Sequence, residues 1–304
     1  MNESIIDVSY RMNLGSDGFR EKKIAMALRV VSQSKCFEGI VTRYKHNSEV
    51  VGCEMQFHVF MPPQPNPPCL IFLSGLTCDD TNFIFKAGAI RSAAQKGICL
   101  ICPDTSPRGL NIEGENESWD FGSGAGYYLD ATEPQWKTNY KMFSYVHDEL
   151  RGLAAIHLKI DLRRVSIFGH SMGGHGALVL ALNAPGKYRS VSAFAPICNP
   201  TATPRCARAF QRYLGTDAQK WRKFDASVLA SEYKGDKLDI LIDQGLSDEF
   251  LKNDELKPEV FIEASKSNEK LGVQYRTHEG YDHGYYFIQT FIENHIDFHS
   301  KHLL

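Results

Sequence analysis

The chain has 304 residues, with 34 basic and 36 acidic side chains, a formal net charge of −2, 43% apolar residues and 23% charged ones. A balanced charge without any Lys/Arg block excludes the electrostatic footprint of a nucleic-acid-binding protein. No apolar run approaches the roughly 18 residues that mark a membrane-spanning helix.

At the start, Ile5, Ile6 and Val8 are interrupted by Asp7 and no longer apolar core follows, so no export signal is read there. The 8 cysteines then read as reduced thiols of a cytoplasmic protein. Residues 1–25 are polar and lack a sustained period, which predicts a flexible extension ahead of a single domain over 26–304. Residues 28–61 predict antiparallel strands. Within them Cys53, Met55, Phe57, Val59 and Met61 alternate with Glu54, Gln56 and His58, a half-buried strand by its period of two. The proline-rich stretch 62–68 ends it.

From there the pattern changes. "CLIFLSG", "GICLICPD", "RVSIFGH", "SVSAFAP", "LDILIDQG" and "VQYRTHEG" are short apolar runs, mostly separated by stretches long enough for a helix. Residues 136–158 carry one helical pattern and Tyr285 to His302 another. Buried parallel strands alternating with helices predict an α/β fold: a mostly parallel central sheet with helices on both faces and the antiparallel N-terminal strands at one edge. Cys99 and Cys102 form a C-x-x-C pair, but inside a buried strand residues three apart point to opposite faces, which argues against metal or redox use. Residues 104–135 fit no period. Their many glycines make a long loop, and Trp119, Phe121, Tyr127 and Tyr128 argue against disorder.

The chemistry centres on "FGHSMGGHGA". Gly169-His170-Ser171-Met172-Gly173 is a G-x-S-x-G between a strand and a helix. Such a turn holds its serine in a strained conformation at the carboxyl edge of the sheet, and the flanking glycines let strand and helix approach. A glycine-rich nucleotide-binding turn is the rival reading, but neither G-x-G-x-x-G nor G-x-x-x-x-G-K-[ST] occurs. A serine needs a base oriented by an acid, and in this architecture the order is Ser, acid, His. After a late strand, Asp248 lies on a loop that can swing toward Ser171, with Asp243, near the strand's end, as runner-up. After the last strand, His283 sits in a turn before the final helix, whereas His278 is still in the strand. His170 and His175, though closer in sequence, read as core histidines. The oxyanion hole calls for two N–H groups, assigned to Met172 and to Leu76 after the strand ending at Leu73.

At these residues the chain resembles the S-formylglutathione hydrolase (esterase D) family. The resemblance rests on "LSGLTC", "PDTSPRG", "ESWDFGSGAGYYLDAT", "SIFGHSMGGHGAL", "SAFAPICNP", "LDILIDQG" and "EGYDHGYYFI", and it runs from about Met26, an alternative start, to the C-terminus. It implies an α/β-hydrolase fold, often dimeric, that hydrolyses S-formylglutathione to formate and glutathione in formaldehyde removal and cleaves small activated esters as a side activity. Carried over by motif, the nucleophile falls on Ser171, the acid on Asp248 and the base on His283. No metal or organic cofactor is implied, since glutathione is part of the substrate. It also implies a thiol near the site, matched to Cys78, for which a plain core cysteine is the rival reading. Trp119 is read either as a wall of the acyl pocket or as packing for its loop. Arg108 or Lys86 would hold the glutathione carboxylates. The competing functions are a general small-acyl carboxylesterase with the same triad, acyl transfer to a sugar, which would need an export signal, and a silenced binding protein, which would have lost its serine or histidine.

Overall fold

The computed structural model describes residues 8–12, 20–24 and 27–304. Strands β1 (Val8–Met12) and β2 (Arg20–Ile24) pair antiparallel with each other in a two-stranded sheet of their own. The rest of the expected extension, 1–25, lies outside the described residues.

The main sheet has nine strands: β3 (Arg29–Cys36), β4 (Gly39–Asn47), β5 (Glu54–Met61), β6 (Cys69–Leu73), β7 (Cys99–Pro103), β8 (Val165–His170), β9 (Val191–Phe194), β10 (Leu238–Gly245) and β11 (Leu271–His278). Their order is β11-β10-β9-β8-β6-β7-β5-β4-β3. β6 to β11 run parallel, while β3, β4 and β5 form an antiparallel meander joined to β7. The four strands β6, β7, β8 and β9 are buried at every position, which is why they read as unbroken apolar runs. β3 ends the sheet with an exposed strand carrying Arg29, Gln33 and Lys35, polar choices that discourage edge-to-edge pairing.

Adjacent residues of β9 show that both faces are covered. Ser192 hydrogen-bonds His295 and His299 of the final helix, Tyr285–Leu303. Ala193, its neighbour, lies against Gly174 of the helix Met172–Asn183. Successive strand residues point to opposite faces, so the two helices lie on opposite sides of the sheet. Under the final helix a buried polar chain runs from Asp243 through His295, Ser192, His299 and Ser190 to Ser166, its serine links 2.8 Å long.

Two expectations need correction. The helix expected over 136–158 begins only at Met142, because Ala131 N donates to Tyr140 O and Asp130 bridges Lys141, holding that stretch out of the helix. It then widens into a π-helical turn at Tyr145–Leu150, where Glu149 turns inward to accept from Ser48 Oγ and Glu49 N. His58 was expected on the polar face of its strand, yet it is buried, because Asp80 of the loop after β6 and Phe85 just beyond it cover that face. Its Nδ1 lies 2.7 Å from Asp80 Oδ2, which gives the buried imidazole a partner.

Candidate active site

Four loops meet at the carboxyl ends of the parallel strands. The first is the turn between β8 and the helix that follows. Ser171 has φ 57° and ψ −119°, a conformation that L-residues rarely adopt. The reason its neighbours are glycines is steric. A Cβ on Gly169 would stand 2.2 Å from Gly173 O, and one on Gly173 would stand 1.9 Å from Leu73 O. The turn is held by Ser171 N donating to Phe194 O at 2.9 Å and by His175 N donating to Ser171 O at 3.0 Å.

The second loop follows β6 and passes beside the serine, with a Cβ built on Gly75 only 3.2 Å from Ser171 Cβ. Its N–H groups divide in two ways. Thr77 N donates to Gly124 O at 2.9 Å and Cys78 N to Gly75 O at 3.3 Å. The N–H of Leu76 and that of Met172 have no acceptor among the described residues. The far end of this loop is clamped by Asp80, which takes both Arg43 Nε (2.8 Å) and Nη2 (2.9 Å) as well as His58. Burial works against that carboxylate, but the His58 and Arg43 hydrogen bonds outweigh it and hold its pKa below the ordinary value. The long segment 104–135 buttresses the same loop: Tyr128 Oη donates to Ser74 O, and Thr105 Oγ1 and Arg108 Nη2 both donate to Cys78 O.

The other two loops, after β10 and after β11, bring the acid and the base together. Asp248 is fully buried and His283 Nδ1 lies 2.6 Å from its Oδ2. The same oxygen accepts from Gln244 Nε2 at 3.0 Å, and Oδ1 caps the helix Glu249–Lys252 by accepting from Phe250 N at 2.8 Å. Burial pushes the carboxyl up, but these bonds, led by His283, outweigh it and lower the pKa. With Nδ1 committed to Asp248, the other imidazole nitrogen is the one available to an incoming group. The His283 ring is packed between His170 and Phe250, each with its ring centroid 4.5 Å away. His170 is buried, neither ring nitrogen has a hydrogen-bond partner among the described residues, and burial beside His283 drives its pKa well below the usual value. It is a neutral platform for His283. His175 donates from Nε2 to Tyr127 O at 3.0 Å, in the core.

Asp243 goes elsewhere. It is fully buried in β10, gripped by Arg276 Nε and Nη2 at 2.6 Å each, with His295 Nε2 at 3.2 Å and His278 Nε2 at 3.3 Å. The two aspartates therefore separate cleanly, one into a histidine-and-arginine cluster under the sheet and one onto His283.

The rim is less as expected. Arg108 makes a two-pronged pair with Asp104 at 2.9–3.0 Å and a bond to Cys78 O, so its guanidinium braces the loop. Lys86 is exposed, with its ammonium 5.6 Å from the Tyr285 ring. Cys78 is half-buried. Burial raises its thiol pKa and nearby Lys86 partly opposes that. Trp119 is 53% exposed and meets the guanidinium of Arg205, which in turn lies against Phe250. Sequence reasoning passed over Arg205. Its only signal was the spacing of Arg205, Arg208 and Arg212 along one face of the helix Pro204–Leu214.

Known proteins resemble this chain along most of its length. The family model described as "Putative esterase" matches residues 48–298. The S-formylglutathione hydrolase of Rattus norvegicus is 53% identical over 281 residues, covering 91% of this chain and 99% of the relative. The chain belongs to the S-formylglutathione hydrolase family. The Arabidopsis thaliana member is 49% identical over 286 residues, covering 92% and 99%. A solved S-formylglutathione hydrolase from Agrobacterium tumefaciens superposes with a TM-score of 0.87 at 43% identity, covering 90% of this chain and 99% of that one. The family's α/β-hydrolase fold is thus the fold read from the strand pattern. Among the described residues no cluster of metal-ligating side chains occurs, and no helix is long and apolar enough to cross a membrane.

Proposed function

We propose that the chain is a serine thioesterase that hydrolyses S-formylglutathione to formate and glutathione, with side activity on small esters. The observation that carries the chemistry is the buried Asp248–His283 pair at 2.6 Å beside the strained Ser171 turn. The substrate comes from the curated relatives, named S-formylglutathione hydrolases at 49–54% identity.

In the proposed reaction Ser171 Oγ attacks the formyl carbon while His283 Nε2 takes its proton. Asp248, accepting from Nδ1, fixes the tautomer and stabilises the imidazolium. The N–H groups of Leu76 and Met172 receive the oxyanion, and the helix starting at Met172 adds its positive end. The C–S bond then breaks. A thiol with a reference pKa of about 8.5 leaves readily, and the proton held on His283 goes with it, to the departing sulfur or to solvent once the thiolate has left, which returns the imidazole to its neutral form. Neutral His283 then deprotonates water, which attacks the formyl-serine ester, and passes that proton to Ser171 Oγ as the ester bond breaks and formate leaves. No step calls for a metal or an organic cofactor. Trp119 and Cys78 belong to the rim of this site, Trp119 through Arg205 and Cys78 through the loop after β6. A cytoplasmic setting fits the eight unpaired cysteines, and a homodimer is the assembly the resemblance implies.

The esterase description of the family model favours small acyl esters as a second substrate class for the same residues. A fluorophosphonate probe tests the site itself. The expected result is a single adduct mapped by mass spectrometry to Ser171 and blocked by S-formylglutathione. An adduct on another residue, or none on folded protein, would overturn the reading.

A further inference from the structure

If the reading above is right, the substrate is an anion as well as a thioester, and something at the mouth of the site should recognise its charge. Arg108 is engaged with Asp104. Arg205 is placed differently. Its guanidinium carbon lies 5.0 Å from the Trp119 ring centroid and 4.8 Å from that of Phe250, whose ring stands 4.5 Å from His283. The guanidinium carbon is thus at most about 9 Å from the His283 ring, within reach of an extended cysteinyl-glycine arm at about 3.3–3.6 Å per residue plus its side chain. Glu255 forms an ion pair with Arg205, and 14% of the arginine side chain remains exposed. A guanidinium has five donors, so one carboxylate partner leaves donors for a second. Two aromatic rings fix its orientation and strip much of its water, which strengthens what it binds.

The segment carrying Trp119 is itself fastened by the same helix. Arg208 pairs with Asp120 at 3.7 Å, and Arg212 pairs with Glu117 at 3.4 Å and covers the Phe121 ring at 3.7 Å. Three arginines on one helix face therefore meet consecutive parts of residues 117–121, but only Arg205 also reaches the ring that packs on His283.

The geometry points to Arg205, held by Trp119 and Phe250, as the residue that binds a terminal carboxylate of the glutathione moiety and so separates anionic glutathione thioesters from neutral esters. This rests on the thioesterase reading, and the test keeps the two apart. Arg205→Met should raise KM for S-formylglutathione about 10- to 100-fold, the worth of a charge-assisted hydrogen bond, with kcat within about threefold of wild type. Its kcat/KM for 4-methylumbelliferyl acetate should stay within about threefold of wild type, while its melting temperature falls by a few degrees through loss of the Glu255 pair. Arg205→Lys should recover part of the loss, because it keeps the charge and loses the fork. Substrates with the glycyl carboxylate amidated, or with the γ-glutamyl carboxylate removed, identify the end that is bound. That analogue should lose affinity with wild type and lose none further with Arg205→Met. Equal losses on thioester and acetyl ester, or no loss on either, would overturn the assignment while leaving the thioesterase reading intact. A wild type that ignores S-formylglutathione would overturn both.

Discussion

Asp243→Asn separates the two late aspartates by what each one does. Asp243 is fully buried and receives two 2.6 Å bonds from Arg276, with His295 and His278 close by. An amide of the same shape keeps one acceptor and loses the charge. Removing one member of a buried ion pair costs about 3–5 kcal/mol, and the lower end applies because the Arg276 side chain is 29% exposed and water can take over part of its solvation. A loss of about 3 kcal/mol corresponds to a fall in Tm of about 6 °C at roughly 2 °C per kcal/mol for a chain of this size. The pH dependence follows from the same contacts. Burial alone would raise the Asp243 pKa, but the hydrogen bonds from His295 and Arg276 hold it well below the ordinary value. A carboxyl whose pKa is depressed by folding contributes fully above its unfolded pKa, about 3.9, and loses that contribution as pH falls toward the folded one. The Tm gap between wild type and Asp243→Asn should therefore be constant from about pH 5 to 8 and narrow below about pH 4. At 25 °C and pH 7 the variant should keep kcat/KM within about threefold of wild type. The assays are differential scanning calorimetry across pH and steady-state ester hydrolysis. A variant that is folded, unshifted in Tm and inactive would mean that Asp243, not Asp248, serves His283.

Two further variants probe the site. Asp248→Asn should show the opposite split, with kcat down about 10⁴-fold through the wrong imidazole tautomer while Tm moves by a few degrees at most; calorimetry and hydrolysis on the same preparation check both. Gly173→Ala would put a methyl 1.9 Å from Leu73 O, so helix and strand must part. Overpacking of this kind costs about 1–3 kcal/mol, and a shift near 1 Å beside Ser171 should lower kcat about 100-fold, against a smaller fall in Tm.

Much of this was legible in the sequence because each element announces itself locally. The strands β6 to β9 are buried on both faces, so their composition alone betrays them. Ser171 is flanked by glycines for steric reasons that any chain making this turn must obey. Asp248 and His283 stand where the strands end, and a loop after a strand can be read from pattern. What was missed depends on partners far away in the chain. His58 alternates like an exposed residue, and only the approach of Asp80, 22 residues on, makes its burial tolerable. The late start of the helix at Met142 is set by pairing with Asp130 and Ala131, which no helical period reveals. Arg205 sits on the polar face of its helix with only the spacing of Arg208 and Arg212 beside it, and it joins the site because Phe250 and Trp119, from two distant segments, close around it. Arg108 carried its own warning, since Asp104 stands four residues before it and claims its guanidinium.

The most direct measurement is steady-state hydrolysis of S-formylglutathione by purified protein beside a Ser171→Ala control. The account predicts a high kcat/KM on the thioester and a fall in kcat of about 10⁵- to 10⁶-fold in the control, the size expected when a triad loses its nucleophile. A Ser171→Ala protein that retained its activity on the thioester would contradict it.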